Sequence, residues 1–435
     1  CADEMSYVSR VFPLRWWSVA VLAVCAVVST VLVLTTVEPF IPRAGILAGG
    51  DDFDTYRDAA RHVREHLPLY ADRLIHDHLY TYTPFSAVTF FPFDLLPHGW
   101  TDVYTWMIVN LVVLVLIVVQ CWRMLGYRTS VKSVAVSTLI AFSCTFLEPV
   151  RTTLFYGQIN LVLLLVVLWD AGRGEHSRLR GVGVGIAAGI KLTPAYFVFY
   201  YLTLRQWRSA AVAVATFAAT VAVGWLVLPT DSGQYWSGML FDTERIGEDL
   251  LHPSNQSLRG TIARLAGGPP ANVIGVMPGE PPPTWVWLLA AVGVVVVAAV
   301  VAVRLYRCGE HLLALTVTGL TAVVVSPFSW THHWVWFVPL VVYLLHRALT
   351  NHWWWLPAVA LFLTLGAWPY QFPVDKEPRV GLYMFPATWV RWDVVANLYL
   401  LLFAAVMIGA AAIAFYKTRE QRRDDALGAE PTPAN

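Results

Sequence analysis

Long apolar runs alternate with short polar clusters along almost the whole chain. Because a helix rises about 1.5 Å per residue, runs of roughly 15 to 25 residues have the length that crosses a lipid bilayer. The pattern therefore predicts an all-α polytopic membrane protein with about twelve membrane segments. They cover approximately residues 16–37, 101–121, 133–147, 158–171, 181–204 (as two half-spans), 209–228, 285–303, 311–327, 334–346, 353–367 and 390–415.

The basic residues predict how these segments are oriented. Arg10 and Arg15 precede the first segment, and the positive-inside rule puts them in the cytoplasm. Arginine and lysine clusters recur after every second segment, so we expect cytoplasmic termini and outer loops at about 38–100 and 229–283. We expect one transmembrane domain over residues 1–417. A disordered cytoplasmic tail is expected over 418–435, which is charged and rich in proline and alanine.

The apolar run at 181–204 is interrupted by Lys191-Leu192-Thr193-Pro194. Proline disfavours helix at the residue before it, so we expect two half-spans with the break on the outer side. Polar, non-helical backbone at membrane depth must line a cavity or be buried in protein. The interruption therefore predicts that Lys191 belongs to a site. Glycines at four positions before the break permit close helix packing: Gly181, Gly183, Gly185 and Gly189.

Composition supports the membrane assignment and excludes other classes. Of 435 residues, 57% are hydrophobic and 14% are charged, which is not the composition of a soluble globular protein. The net charge of +1 gives no indication of nucleic-acid binding, and no pair among the five cysteines suggests a disulfide or a metal site. We expect no cleavable signal, because the run at 16–37 is too long for one and lacks a small-residue cleavage site.

Three carboxylates, Asp51, Asp52 and Asp54, follow the first apolar run on the predicted outer face. A carboxylate can act as a general base, and cations can hold a phosphate group. The combination favours chemistry on a lipid-linked polar substrate at the membrane boundary. The predicted topology brings further polar side chains to the same face: Tyr56, Glu148, Arg151, Tyr156, Gln158, Asn160, Lys191, Asn255, Gln256, Arg259, His332 and His333.

Simpler interpretations exist for several of these groups. The carboxylates are compatible with a solvated loop, Arg151 with a side chain that snorkels to the interface, and His332-His333 with an interfacial pair. A zinc site is disfavoured, because adjacent histidines lie about 100° apart on a helix. The sequence also offers no second acidic cluster for Mg²⁺, so we expect neither a metal nor a cofactor.

Two other classes of protein compete with an enzyme. A transporter or flippase for lipid-linked sugars should have paired broken helices in related halves, whereas this sequence has one clear break and no half-to-half symmetry. A structural scaffold would not need polar residues collected on one face. The pattern favours a transferase over both.

Several motifs, taken together and in order over residues 45–350 or so, resemble the actinobacterial glycosyltransferases of family 87. They are Asp52-Phe53-Asp54-Thr55-Tyr56, Tyr82-Thr83-Pro84-Phe85, Glu148-Pro149-Val150-Arg151 with Tyr156-Gly157-Gln158-Ile159-Asn160, Gly189-Ile190-Lys191-Leu192-Thr193-Pro194, Asn255-Gln256-Ser257-Leu258-Arg259-Gly260, and Ser326-Pro327-Phe328-Ser329-Trp330-Thr331-His332-His333-Trp334. The resemblance implies a GT-C fold with an extracytoplasmic active site. It also implies transfer from polyprenyl-phosphate-mannose to a glycolipid, either a phosphatidylinositol mannoside or the mannan of lipomannan and lipoarabinomannan, in α-(1→2) linkage. A related branch transfers arabinofuranose, and the motifs do not separate the two.

The resemblance places the catalytic aspartate at Asp52, with Asp51 and Asp54 beside it. A β-linked donor that gives an α product requires inversion, so one carboxylate deprotonates the acceptor while the phosphate leaves. The departing phosphate needs positive partners, for which the candidates are Arg259, Lys191, His332, His333 and Arg151. The candidates for substrate binding are Tyr56, Tyr156, Gln158, Asn160, Asn255, Gln256 and Trp330.

Overall fold

The computed structural model describes residues 16–34, 46–71, 74, 79–95, 99–241, 249–267, 281–371, 378–385 and 392–428. Most of these residues are helical. The helices are α1 (Trp16–Leu34), α2 (Asp51–Glu65), α3 (Pro84–Thr89), α4 (Phe91–Asp94), α5 (Trp100–Met124), α6 (Val131–Cys144), α7 (Glu148–Tyr156), α8 (Asn160–Ala171), α9 (Val182–Ile190), α10 (Tyr196–Thr203), α11 (Trp207–Val227), α12 (Pro229–Ser237), α13 (Leu258–Gly267), α14 (Thr284–Arg307), α15 (His311–Val325), α16 (Phe337–Thr350), α17 (Trp355–Thr364), α18 (Trp392–Val395) and α19 (Leu398–Gly428).

Shorter elements complete the described chain. Two strands, β1 (Pro369–Gln371) and β2 (Pro378–Val380), pair antiparallel, with Pro369 opposite Val380. This small hairpin was not expected from the apolar pattern. Short 3₁₀ segments lie at Ile46–Ala48, Thr193–Ala195, Met239–Phe241, Thr331–Trp336, His352–Trp354 and Leu382–Met384.

The apolar helices make this an all-α membrane protein. Within the described ranges, four helices are long and apolar enough to cross a bilayer: Thr101–Met124, Trp207–Val227, Thr284–Arg307 and Leu398–Arg423. Helices α7 and α8 make a fifth candidate, bent by 118°, and three shorter apolar helices cover Ser18–Leu34, Val131–Cys144 and His311–Val325. The expected number of about twelve segments is therefore not confirmed. Several predicted spans are helices shorter than a bilayer requires, such as Phe337–Thr350.

The surface of α14 has the character of a lipid-facing helix. Leu289, Val292 and Val296 lie three and four residues apart, and each is more than half exposed. Exposed aliphatic side chains at this spacing form one continuous apolar face, which water does not favour and lipid does. The interior, by contrast, is built where α5 packs against α6 and α8, and where α9 packs against α11.

The approach of α9 to α11 is close because the facing residues are small. A Cβ atom on Gly185 would lie 2.5 Å from the Thr216 Cβ, and one on Gly189 would lie 2.3 Å from the Thr220 Oγ1. Any larger residue would force the helices apart. The contact fixes the C-terminal end of α9, which is where the site begins.

The predicted break after α9 is present. Lys191 is extended, with φ −141° and ψ 129°, and the chain resumes in the Thr193–Ala195 turn and α10. A second break, between α7 and α8, was not predicted. Pro149 lies in the first turn of α7, where a backbone N–H would have no partner within the helix, so proline is tolerated there. Gly157 ends that helix in the left-handed region with φ 70°.

The predicted disordered tail requires a correction. Helix α19 continues to Gly428, so residues 418–428 are helical. Helix propagates more easily than it nucleates, so the apolar part of α19 supplies the nucleus for the charged extension. Residues 429–435 of the predicted tail lie outside the described residues, as do Arg10 and Arg15, on which the predicted orientation depends.

Candidate active site

The acidic cluster forms the first turn of α2. Gly50, with φ 131°, precedes the helix, and Asp51, Asp52 and Asp54 lie at its N-terminus, where the helix dipole stabilises negative charge. Helical geometry turns each residue by about 100° from the last, so the three carboxylates diverge. Asp54 pairs with Arg57 at 3.3 Å, whereas Asp52 accepts a hydrogen bond from Gln158 Nε2.

Two tyrosines hold the other end of the Gln158 amide. Gln158 Oε1 accepts from the hydroxyl of Tyr56 at 2.9 Å and from that of Tyr82 at 3.2 Å, and the two hydroxyls are 2.8 Å apart. Burial raises the pKa of Tyr56 well above its ordinary value, and Tyr82 and Asp52 raise it further. Burial, followed by the charge of Asp52, likewise raises the pKa of Tyr82. Both hydroxyls are therefore protonated donors at neutral pH.

A buried cation lies beside this group. Lys191 Nζ donates to Asn160 Oδ1 at 3.1 Å and lies 3.0 Å from His333 Nε2. It also lies 5.3 Å from the centre of the Tyr82 ring and interacts electrostatically with Asp52. Burial lowers the pKa of His333 well below its usual range, and the charge of Lys191 lowers it further. His333 is therefore a neutral acceptor for the lysine ammonium group.

His332 contacts Asn160 through its backbone carbonyl. Its carbonyl accepts from Asn160 Nδ2 at 3.0 Å and from Thr153 Oγ1 at 3.3 Å. Its ring lies 4.7 Å from the His333 ring at an interplanar angle of 87°, and 6.0 Å from the Tyr156 ring. The two histidines thus face different directions. In the part of the chain that the structure describes, no group of three or more His, Cys, Asp or Glu side chains is arranged to hold a metal ion.

Lys191 also lines a largely apolar cavity. Four polar residues line it: Asn160, Lys191, Thr193 and His333. The remaining lining is apolar: Leu163, Leu164, Val167, Pro194, Phe197, Ala322, Val323, Val335 and Trp336. The cavity therefore combines a cationic side chain with a largely apolar lining, a combination that fits an amphiphilic anion.

Helix α7 contributes a second polar group. Arg151 is buried, with its guanidinium 4.8 Å from the Phe155 ring, and interacts electrostatically with Glu148 and Tyr156. The alternative that Arg151 snorkels to the surface is therefore not what the structure shows. Tyr156 in turn interacts electrostatically with Asp52, which links this group to the acidic cluster.

Glu148 is a structural centre on the same helix. Its carboxylate accepts from Thr152 at 2.6 Å, Thr331 at 2.8 Å and Tyr383 at 3.2 Å, and also from the Tyr399 hydroxyl. These donors come from α7, from the turn that carries both histidines, from the Leu382–Met384 turn and from α19. One carboxylate therefore ties four segments together around the site.

The described part of the loop before α13 provides scaffolding. Asn255 Oδ1 accepts from the backbone N–H of Ser329 at 3.1 Å, and Gln256 donates to the Ala396 carbonyl at 2.7 Å. Both side chains are fully buried, so their amides hold the loop in place. Arg259 stacks on Trp287, with its guanidinium 5.7 Å from the ring centre, and Trp330 packs on Phe328 with ring centres 4.7 Å apart.

The structure therefore brings together Asp52, Tyr56, Gln158, Asn160, Lys191 and His333, which were expected in the site. Sequence reasoning assigned no role to Tyr82, although it lies between Gln158 and Lys191. Its signal was the Tyr82-Thr83-Pro84-Phe85 motif, whose chemistry depends on neighbours distant in the chain.

Comparison with protein families matches residues 80–327 to "Glycosyltransferase family 87". The chain belongs to this glycosyltransferase family. The match contains Tyr82, Gln158, Asn160 and Lys191 and ends before the two histidines. No solved structure matches the chain.

Three of the similar curated proteins illustrate the named activities. A pentamannoside mannosyltransferase of Mycolicibacterium smegmatis, named as polyprenol-phosphate-mannose-dependent and alpha-(1-2), is 37% identical over 62% of this chain and 62% of its own length. A phosphatidylinositol mannoside mannosyltransferase of the same organism, named in the same terms, is 32% identical over 78% and 81%. An alpha-(1->3)-arabinofuranosyltransferase of Corynebacterium glutamicum is 27% identical over 79% of each chain. The match to the first thus spans less than two thirds of that relative.

Proposed function

We propose that this family 87 protein transfers mannose from polyprenyl-phosphate-mannose to an extracytoplasmic glycolipid, forming an α-(1→2) linkage with inversion. The acceptor is a phosphatidylinositol mannoside or the mannan of lipomannan and lipoarabinomannan. The observation that carries the proposal is that Lys191 both interacts electrostatically with the Asp52 carboxylate and lines a largely apolar cavity. A lipid-linked sugar phosphate needs a carboxylate for its acceptor, a cation for its phosphate and an apolar volume for its chain.

The phosphate of the donor binds Lys191 in this proposal. The ammonium group is held by Asn160 and His333, so its position is fixed before the donor arrives. Preorganised charge of this kind stabilises a leaving phosphate without reorganisation during the reaction. The start of the polyprenyl chain then contacts the apolar lining of the cavity. Further donor contacts are proposed for His332, Arg151 and Arg259.

Asp52 is the proposed general base. It removes the proton of the acceptor hydroxyl while the acceptor oxygen attacks the anomeric carbon from the face opposite the phosphate. The bond from carbon to phosphate oxygen breaks, and its electron pair leaves with the phosphate. Asp51 and Asp54 tune the local charge, and Tyr156 and Trp330 contact the sugars.

The proposed arrangement in the membrane is a GT-C fold with about twelve segments, both termini in the cytoplasm and the active site on the extracytoplasmic side. The unwound chain at Lys191 supports this proposal, because irregular backbone within a membrane protein lines a site. One transmembrane domain covers residues 1–417 in this arrangement.

The mannose donor is preferred over an arabinofuranose donor. The relatives named as mannosyltransferases reach 37% and 32% identity, whereas the arabinofuranosyltransferase is 27% identical. Membership of a glycosyltransferase family also argues against a transporter or a flippase.

The test is transfer by the purified protein in lipid nanodiscs. Polyprenyl-phosphate-[¹⁴C]mannose and, separately, polyprenyl-phosphate-[¹⁴C]arabinose are supplied with phosphatidylinositol mannosides or lipomannan as acceptor. We expect a mannosylated lipid that an α-(1→2)-specific mannosidase cleaves, and no product with the Asp52→Asn protein. Transfer from the arabinose donor alone, or product resistant to that mannosidase, would refute the proposed donor or linkage.

A further inference from the structure

Gln158 is restrained at both ends of its amide group. The Nε2 atom donates to one oxygen of Asp52, and Oε1 accepts from Tyr56 and Tyr82. Gln158 is buried, and its backbone N–H donates to the Thr153 carbonyl at 2.9 Å. Side chain and backbone are thus both fixed. A residue that only binds substrate would not need this degree of internal attachment.

We propose that Gln158 is a positioning residue that fixes the orientation of the Asp52 carboxylate and keeps it ionised, with Tyr56 and Tyr82 holding the amide in place. The inference rests on the proposed role of Asp52 as general base. It reassigns Gln158 and Tyr56 from substrate binding to the support of the base.

The Asp52 carboxylate decides which way the amide points, because the two tyrosine hydroxyls can donate or accept. If the amide were reversed, Oε1 would face the Asp52 carboxylate, and two acceptors would be in contact without a proton between them. In the observed orientation the oxygen receives hydroxyl protons and the nitrogen donates to the carboxylate, so each group has its complementary partner. A protonated carboxyl could also accept this hydrogen bond through its carbonyl oxygen, but the bond to a charged carboxylate is stronger. The network therefore favours the ionised carboxylate.

The segments next to Asp52 and Gln158 fix the relative positions of these two residues. Gly157, with φ 70°, packs directly against α2, where a Cβ atom would lie 2.7 Å from the Cβ of Phe53. The Trp106 indole donates to the Gly157 carbonyl at 2.6 Å. Tyr56 is stacked on Phe90 with ring centres 4.4 Å apart. The residues next to Asp52 and Gln158 are therefore locked together, which sets the distance between the two side chains.

The other charged and titratable groups near Asp52 differ in their effect: some stabilise its ionised carboxylate and others destabilise it. Lys191 stabilises the carboxylate, whereas ionisation of Tyr56, Tyr82 or Tyr156 would oppose it. Asp51, the residue before Asp52 on α2, adds a second negative charge nearby. The hydrogen bond that Gln158 donates to Asp52 offsets that charge. Hydrogen bonds to a carboxylate favour its ionised form, and removing one should raise the pH at which it protonates.

The test measures the protonation of Asp52 directly and does not depend on activity. Infrared difference spectra follow the protonated-carboxyl band that is lost in Asp52→Asn, as a function of pH, in the wild type and in Gln158→Met. Methionine keeps the length of the side chain and cannot donate. We expect the midpoint of the band to rise by about one to two pH units, the size expected for one charge-assisted hydrogen bond. Gln158→Glu, which adds a carboxylate, should raise it further.

Two further variants keep the test decisive. Gln120→Met is the matched control, because Gln120 is also buried and its amide donates to the Leu168 carbonyl, far along the chain from Asp52. It should leave the midpoint unchanged. If Gln158→Met folds poorly, Tyr82→Phe removes one hydroxyl from Gln158 while keeping the ring, and should raise the midpoint by a smaller amount.

The pH profile of kcat/KM gives a second readout, in which the acid limb should move with the infrared midpoint. An unchanged midpoint in Gln158→Met, Gln158→Glu and Tyr82→Phe would overturn the inference, whatever happens to the rate. The failure of wild-type protein to use polyprenyl-phosphate-mannose would instead count against the proposed function. The infrared result would still decide the role of Gln158.

Discussion

Replacing Lys191 by methionine removes the cation while keeping most of the aliphatic side chain. In the wild type the ammonium group contacts Asn160 at 3.1 Å and His333 at 3.0 Å, and it lines the cavity. If it also binds the donor phosphate, Lys191→Met removes one charge-assisted hydrogen bond, worth about 1.5–3 kcal/mol. Since about 1.4 kcal/mol is a factor of ten, kcat/KM for the donor should fall roughly 10- to 150-fold.

The assay is transfer of radioactive mannose in nanodiscs, with donor and acceptor concentrations varied separately. The loss should fall on the donor, because the lysine lines the apolar cavity that is proposed to take the start of the donor's lipid chain. Lys132→Met, at an exposed residue in the first turn of α6, is the matched control and should have wild-type kinetics. A Lys191→Met protein that inserts normally and keeps wild-type kcat/KM for the donor would refute the assignment of the phosphate to Lys191.

Three further predictions follow from the same contacts. His333→Gln should reduce donor use more than His332→Gln, because only the His333 ring contacts Lys191; equal effects in initial-rate assays would contradict this. Glu148→Ala should lower the thermal unfolding midpoint of the purified protein by several degrees, because it leaves four buried hydroxyls without their acceptor. Thr152→Val removes one of these hydrogen bonds and should lower the midpoint less. Equal midpoints in the two variants would contradict the role of Glu148 as a structural centre. Reporter fusions after residues 128, 176 and 420 should be cytoplasmic and fusions near 60 and 260 external; a cytoplasmic reporter near 60 would invert the topology.

The apolar pattern and the prolines were enough to predict the break at Lys191, because local chemistry causes it. The number of membrane segments was not predictable in the same way. Hydropathy measures apolar content, whereas the length of each helix depends on its caps and kinks. At Gly157 a helix cap and a sharp bend between α7 and α8 occur together.

The contacts within the site required the fold. Asp52 and Gln158 are 106 residues apart, and Lys191 and His333 are 142 residues apart. Motif order indicated that these residues belong together, but not which atoms meet. The buried amides of Asn255 and Gln256 illustrate the limit, since polar residues in a motif can serve either a substrate or the backbone of a loop. Only the position of their partners, Ser329 and Ala396, separates the two uses.

The central claim is that Asp52 is the base, and Asp52→Asn tests it most directly. Asparagine keeps the size of the side chain and cannot accept the proton, and loss of a general base costs about 10²- to 10⁴-fold in rate. Asp54→Asn should be milder, because Asp54 pairs with Arg57, and Asp51→Asn should act only through local charge. We expect single-turnover mannose transfer in nanodiscs to fall to near background in Asp52→Asn alone, with donor binding retained. Full activity of Asp52→Asn, or near-complete loss in Asp51→Asn or Asp54→Asn instead, would contradict the account.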